Sequence, residues 1–231
     1  MYIFQRSLYN LSLSIFEKAR LDLMQRKCDL DVPENQYILR MMVRSPETNG
    51  FVIPDELAWI SPTLANICQF HDMVFHDRPY VYVTVRSGEV KSVTDDEWHV
   101  DGFSMRVPHK PEQNYIWSDC YPTEVLDQRF VIPEDFDPFK HNIHTYFQDN
   151  ADPSKIKSLK ERHLCIIDPY VVHRRPQVPV GTKRAFVRIS FVPIEIEDDT
   201  CTPNLLLKKK IYNRIDIRKS LVPYINTKET V

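Results

Sequence analysis

Glycine is scarce: the chain has 4 in 231 residues, where average composition would give about 16. Four scattered glycines spell neither a Walker A loop nor a GxGxxG turn, so phosphate cradles built on glycine are excluded. The five cysteines, Cys28, Cys68, Cys120, Cys165 and Cys201, form no CxxC, which excludes a zinc ribbon or a thioredoxin-type pair. No apolar run reaches the roughly 18 residues that a membrane span needs. The opening stretch, MYIFQRSLYNLSLSIFEKAR, breaks its apolar residues with charge and has no small-residue cleavage site. No signal peptide is expected, and a cytoplasmic setting with reduced thiols follows. Neither sign of charge dominates: 30 Lys and Arg face 32 Asp and Glu, for a net of −2. That balance argues against a protein that coats nucleic acid along its whole surface.

What is present argues for a packed fold. The chain is 42% hydrophobic, with 12 Phe, 11 Tyr and 3 Trp, enough to order one domain of this length. Leu8, Leu11, Ile15, Ala19 and Leu23 recur at helical spacing, predicting an amphipathic helix over about 6–26. Ser61-Pro62 reads as the start of a second helix, with Leu64, Ile67, Cys68, His71 and Phe75 on one face. Tyr37 to Val43 reads as a strand. From Tyr80 onward, short β-branched and aromatic runs follow at 80–85, 97–106, 114–118, 143–147, 164–167, 170–174 and 184–194. Strands at such spacing predict a sandwich or barrel. The expected architecture is mainly β with flanking helices, a jelly roll. Its single domain divides into a helical N-terminal support (1–78), a β core (79–194) and a C-terminal tail (195–231). Residues 205–231 carry seven Lys or Arg against two acids.

The chemistry concentrates in three places. In Glu97-Trp98-His99-Val100-Asp101-Gly102, His99 and Asp101 are two apart, so on a strand both point to one side. Such a pair alone is commonplace. A second apolar strand carries His173. Two His and one carboxylate leave three positions of an octahedral ion open, which suits non-haem Fe(II) oxygen chemistry. The third stretch is Gly181-Thr-Lys-Arg184-Ala-Phe-Val-Arg188-Ile-Ser190-Phe-Val. It alternates: Arg184, Phe186, Arg188 and Ser190 share one face, and Ala185, Val187, Ile189 and Phe191 the other. Two Arg among apolar neighbours call for an anion, and a carboxylate binds guanidinium in a bidentate way.

The ordered set His99, Asp101, His173, Arg184 resembles the 2-oxoglutarate-dependent Fe(II) oxygenases, over roughly residues 80–194. That resemblance implies a double-stranded β-helix (jelly roll, cupin-like), with His99, Asp101 and His173 as Fe(II) ligands. It implies an Arg about ten residues past the distal His that binds the far carboxylate of 2-oxoglutarate, here Arg184. It also implies a dioxygenase that consumes O2, releases succinate and CO2, and commonly hydroxylates its substrate. Members similar to taurine dioxygenase carry a second Arg four residues on, where Arg188 stands, for the substrate's anionic group. Other members use an Arg-x-Ser pair for the cosubstrate, which Arg188-Ile189-Ser190 also spells. Spacing from His173 favours Arg184 as anchor. By the same resemblance Tyr115 and Thr123 are candidate cosubstrate contacts, and Arg106 and Trp117 candidate lining of the substrate mouth.

The Arg pair points to a small, anionic metabolite as substrate. The basic tail suggests a second reading, oxidation of a nucleobase or nucleic acid. A cupin-like metal-binding protein without oxygenase activity would use the same ligands. His71 and His76 are read as core and surface residues. His141 and His144 have metal-compatible spacing but no third ligand in view, and Lys208–Lys210 reads as a solvated face.

Overall fold

In a computed structural model, the described residues are 25–70, 78–92, 97–101, 112–133, 135–137, 139–167, 170–196 and 198–207. Most of the expected helix over 6–26, His71, His76, Arg106 and Lys208–Lys210 lie outside them. The fold is mainly β, in two antiparallel sheets. Its strands are β1 (Gln25–Lys27), β2 (Tyr37–Arg44), β3 (Tyr80–Glu89), β4 (Gln113–Ser118), β5 (Glu124–Leu126), β6 (Ile156–Ser158), β7 (His163–Ile167), β8 (His173–Arg174) and β9 (Lys183–Val192). One sheet has the order β1-β7-β4-β9-β3-β2, the other β6-β5-β8. His99 adds a single antiparallel bridge to His173 beyond β8.

The pairings between β3 and β9 are nested. Leu126 pairs with Ile156, Asn114 with Ile167, His99 with His173, and Tyr80 with Val192. Each pair encloses the one before it, and successive pairs fall in alternate sheets. Among the described residues, the pairings between Tyr80 and Val192 thus follow the order of a nested antiparallel ribbon.

Strand parity decides where the core sits. Val81, Val83 and Val85 of β3, Tyr115 and Trp117 of β4, and Ala185, Val187, Ile189 and Phe191 of β9 face outward from the six-stranded sheet. They form one buried cluster with Leu57, Ile60, Leu64 and Ile67. The last four come from a 3-10 segment (Asp55–Ile60) that runs into helix α1 (Ser61–Phe70). Each such side chain fully buried contributes roughly 1.5–3 kcal/mol. The smaller sheet has its own outer cover. Trp98, Val100, Leu126 and Val172 pack with Phe130 and Phe147, the last from helix α2 (Ile143–Asn150). Between the sheets, Ile116, Val125, Leu159, Cys165, Ile167 and Val171 close one end with an apolar plug.

The structure corrects two expectations about elements. Residues 143–147 form the first turns of α2, not a strand. The Asn142 side chain accepts from the His144 backbone N–H, and Ile143, Tyr146 and Phe147 stand at helical spacing toward the small-sheet cover. The N-terminal third is not only helical support either: β1 and β2 extend the large sheet at both edges. Beyond residue 195, Thr202 donates through its backbone N–H to the Leu39 carbonyl at 2.7 Å. The Asn204 amide donates to the carbonyls of Met42 and Val52, each at 2.8 Å. No helix among the described residues is long and apolar enough to cross a membrane, and none of the five cysteines is in a disulfide.

Candidate metal centre

The ribbon's geometry assembles the ligand set. His99 and His173 are directly opposed and exchange both backbone hydrogen bonds, each at 2.9 Å. Side chains of such a pair leave the same face of the sheet. Asp101, two residues past His99, joins them there by strand parity. Trp98, Val100 and Val172 take the other face and anchor the segment in the outer cluster. Ligand atoms of His99, Asp101 and His173 all lie within 4.8 Å of one another, and the two imidazole centroids are 4.5 Å apart.

Both rings are held in one tautomer. The His99 Nδ1 is 2.7 Å from the Glu97 carbonyl and the His173 Nδ1 is 2.8 Å from that of Val171. A carbonyl only accepts, so each Nδ1 donates, which leaves the Nε2 of each ring for the shared space. Ligating histidines commonly donate their other ring nitrogen to a backbone carbonyl in this way. The Asp101 Oδ2 lies 3.3 Å from the His173 Nε2 and accepts from the Arg188 guanidinium at 2.8 Å. Burial opposes ionisation of Asp101, but Arg188 and then His173 outweigh it and hold the carboxyl far below its ordinary value. Burial, and then the neighbouring His173, lower the His99 pKa. The surroundings thus favour the neutral form of His99 and the ionised form of Asp101, the forms in which these groups ligate a divalent ion. The two N donors and one O donor fit such an ion and do not by themselves choose among iron, zinc and nickel.

The centre opens into a cleft of about 1370 Å³. The floor is the inward face of the large sheet, where Thr84 is opposite Arg188, Arg86 opposite Phe186 and Gly88 opposite Arg184. Gly88 has φ +131, and a Cβ there would meet the Asn35 Oδ1 at 2.9 Å. Arg184 donates through Nε to the carbonyls of Cys120 and Tyr121, at 3.2 and 3.1 Å, and through a terminal nitrogen to the Ser118 hydroxyl at 3.1 Å. Thr123 lines the cleft with Ile116.

Tyr115 and Trp117 do not line it, and this corrects both assignments. They are opposite Ile189 and Val187, on the outward face. Tyr115 packs edge-on against Phe191 at 5.5 Å, and the Trp117 indole donates to the Cys28 carbonyl at 2.7 Å. The inward residues of β4 are Asn114, Ile116 and Ser118. The structure also brings in residues that the motif reading passed over. The His144 ring lies 6.2 Å from that of His99, at the N-terminus of α2. Arg86, Arg174 and Arg175 line the cleft as well. Arg174 stacks over Trp98 at 4.3 Å and pairs with Glu124 at 2.7 Å. His144 carried a signal in sequence, its spacing from His141, but that pairing pointed to the wrong neighbour.

A scan against protein-family models finds no match, and a search of the curated proteins finds none.

Proposed function

We propose that the protein is an Fe(II)- and 2-oxoglutarate-dependent dioxygenase on a double-stranded β-helix, hydroxylating a small anionic metabolite. The observation that carries this reading is the pair of opposed histidines with Asp101, fixed in the ligating tautomer at the mouth of an arginine-lined cleft. The nested ribbon, with successive strand pairs in alternate sheets, supports the β-helix. When bound, Fe(II) with 2-oxoglutarate would supply an O2-derived oxidant, with succinate and CO2 as coproducts.

The chain's own residues have separable tasks. His99, Asp101 and His173 would hold the ion. Arg188 keeps Asp101 ionised through a 2.8 Å hydrogen bond. Arg184 is the favoured anchor for the cosubstrate's far carboxylate, because Arg188 is engaged by Asp101 and Ser190 by Asn114. Arg184 and Arg188 are four residues apart, about 13 Å along a strand. Phe186, between them on the same face, offers the cosubstrate's methylenes an apolar wall. Ile116 and Val171, in the apolar plug behind the ligands, exclude water from the inner end. Thr123 is a candidate hydrogen-bond donor to the cosubstrate.

The test is an anaerobic titration of metal-free protein with Fe(II) and then 2-oxoglutarate, watched for the visible charge-transfer band of the chelate. The expected result is a band that Arg184→Ala weakens at low 2-oxoglutarate. A folded, Fe-loaded protein that gives no band would be a metal-binding protein without this cosubstrate.

A further inference from the structure

A third imidazole stands beside the two that form the candidate metal centre. His144 lies in the first turn of α2, between the Asn142 cap and the buried Phe147. Its ring centroid is 6.2 Å from that of His99, with the two planes inclined at 60°. It lines the same cleft as His99, Asp101 and His173. Its nitrogens fall outside the set of ligand atoms that lie within 4.8 Å of one another. Nitrogens bound to one ion, each about 2.1 Å from it, are at most about 4.2 Å apart. His144 is therefore next to the ligand set and not a member of it.

The helix fixes where this ring sits. Residues four apart share a helix face. Gln148, four past His144, accepts the Trp98 backbone N–H through its amide oxygen at 2.9 Å, and Trp98 immediately precedes the ligand His99. Phe147 is fully buried in the cluster with Trp98 and Phe130. The Tyr146 hydroxyl donates to the Val131 carbonyl at 2.8 Å. Three consecutive turns of contact thus hold α2 against the segment that carries His99. The ring itself is treated differently from its neighbours. His99 and His173 each commit Nδ1 to a backbone carbonyl. Among the described residues, nothing hydrogen-bonds either ring nitrogen of His144; only its backbone N–H is engaged, by Asn142. An imidazole always has at least one N–H. Half-buried on a rigid element, this one is kept for what enters the cleft.

We propose that His144 is an outer hydrogen-bond donor of the metal centre: its ring N–H binds a small anionic ligand held at an open coordination position, without itself ligating the ion. This rests on the metal-centre reading of His99, Asp101 and His173, and not on the identity of the cosubstrate. Two histidines and one carboxylate leave three positions of an octahedral ion to ligands from solution. A fixed donor beside such a position stabilises negative charge there without having to reorganise. It also selects for ligands that present an acceptor atom. That atom belongs either to a separate small anion or to the near carboxylate of the cosubstrate, and the test separates the two.

The experiment is a spectroscopic titration of the full chain loaded with Co(II), with azide as the probe. Visible absorption reads both metal occupancy and azide binding. Wild type is compared with His144→Phe, which keeps a ring without nitrogens, and with His144→Gln, which returns an N–H donor. Competition with a chelator should give His144→Phe the Co(II) affinity of wild type. The same variant should bind azide about tenfold more weakly, the loss of one hydrogen bond to a charged group, and His144→Gln should recover part of that. Thermal melts guard against misfolding. The titration is repeated with saturating 2-oxoglutarate. An azide difference that persists assigns a separate small anion; a difference that moves to the affinity for 2-oxoglutarate assigns its near carboxylate. Equal azide affinity in wild type and His144→Phe overturns the proposal. So does a Co(II) affinity lowered about tenfold or more in His144→Phe, which would make His144 a ligand. A folded wild type that binds no Co(II) sinks the metal centre and this proposal with it. Azide binding that depends on His144, without the charge-transfer band of Fe(II) and 2-oxoglutarate, sinks only the cosubstrate.

Discussion

The two faces of β9 do opposite work. Outward, Ala185, Val187, Ile189 and Phe191 are all buried in the cluster under α1. Inward, Arg184, Phe186 and Arg188 stand half-buried along the cleft. The outer face gains free energy from every side chain it hides. The inner face spends some of it, because guanidinium groups lose water there and recover only part of its hydrogen bonding: the Arg188 Nε is buried with no partner among the described residues. A strand can serve both ends because its side chains alternate, so stability and chemistry are adjustable one residue apart.

That contrast is most sharply broken at the ligands. Removing His173 (His173→Ala) should abolish tight divalent-metal binding while the melting profile of the metal-free protein stays cooperative, as competition with a chelator and thermal denaturation would show. On the outer face the outcome reverses. Phe191→Ala should cost about 3–5 kcal/mol in urea unfolding, with metal affinity retained in the folded fraction. Arg188→Met lies between the two. It deletes the partner that keeps Asp101 ionised, so metal affinity should fall about 10–100-fold, and the deficit should grow as pH is lowered. Unchanged metal affinity in that variant would show that Asp101 does not depend on Arg188.

Acidity probes the same contrast in the metal-free protein. The folded pKa values of His99 and Asp101 are both depressed, so the unfolded chain takes up protons first. Their contribution is fully present above the ordinary values. It should decline as pH falls below about 6.5 for His99 and further below about 3.8 for Asp101. Urea midpoints measured across that range should fall in the two stages. The smallest effect is expected from Tyr115→Phe. Its hydroxyl belongs to the outward face, so the charge-transfer titration should not change.

The His99–Asp101 pair and the alternation of β9 were legible because both are local, whereas His173, far along the chain, joined them only through the family resemblance. His99 and Asp101 share a face on any strand, and the arginines of β9 stand out against uniformly apolar neighbours. The face of β4 was harder to read. Tyr115, Ile116 and Trp117 are all buried, since one side meets α1 and the other the apolar plug. Asn114 and Ser118 mark the inward side only toward the strand's ends, so its apolar middle carries a weak sign of parity. The segment at 143–147 misled for a related reason, as β-branched and aromatic residues suit a strand until the Asn142 cap is weighed. The approach of His144 to His99 depends on tertiary packing and leaves no local trace.

The nested ribbon has a kinetic consequence. Closing a loop costs entropy that grows slowly with its length, and here each rung encloses a longer loop than the last. Leu126 with Ile156 is the shortest closure along this ribbon, Tyr80 with Val192 the longest, and the His99–His173 rung falls between them. A chain dominated by such distant partners folds on the slow, millisecond-to-second side of the usual range. The inner turns are the cheapest to nucleate. On this ordering the metal pocket should assemble after the β5–β6 closure and before β3 and β9 seal the sheet beside it. An ion that captures the two histidines early would fasten the ribbon at its midpoint, so metal should accelerate refolding as well as stabilise the product.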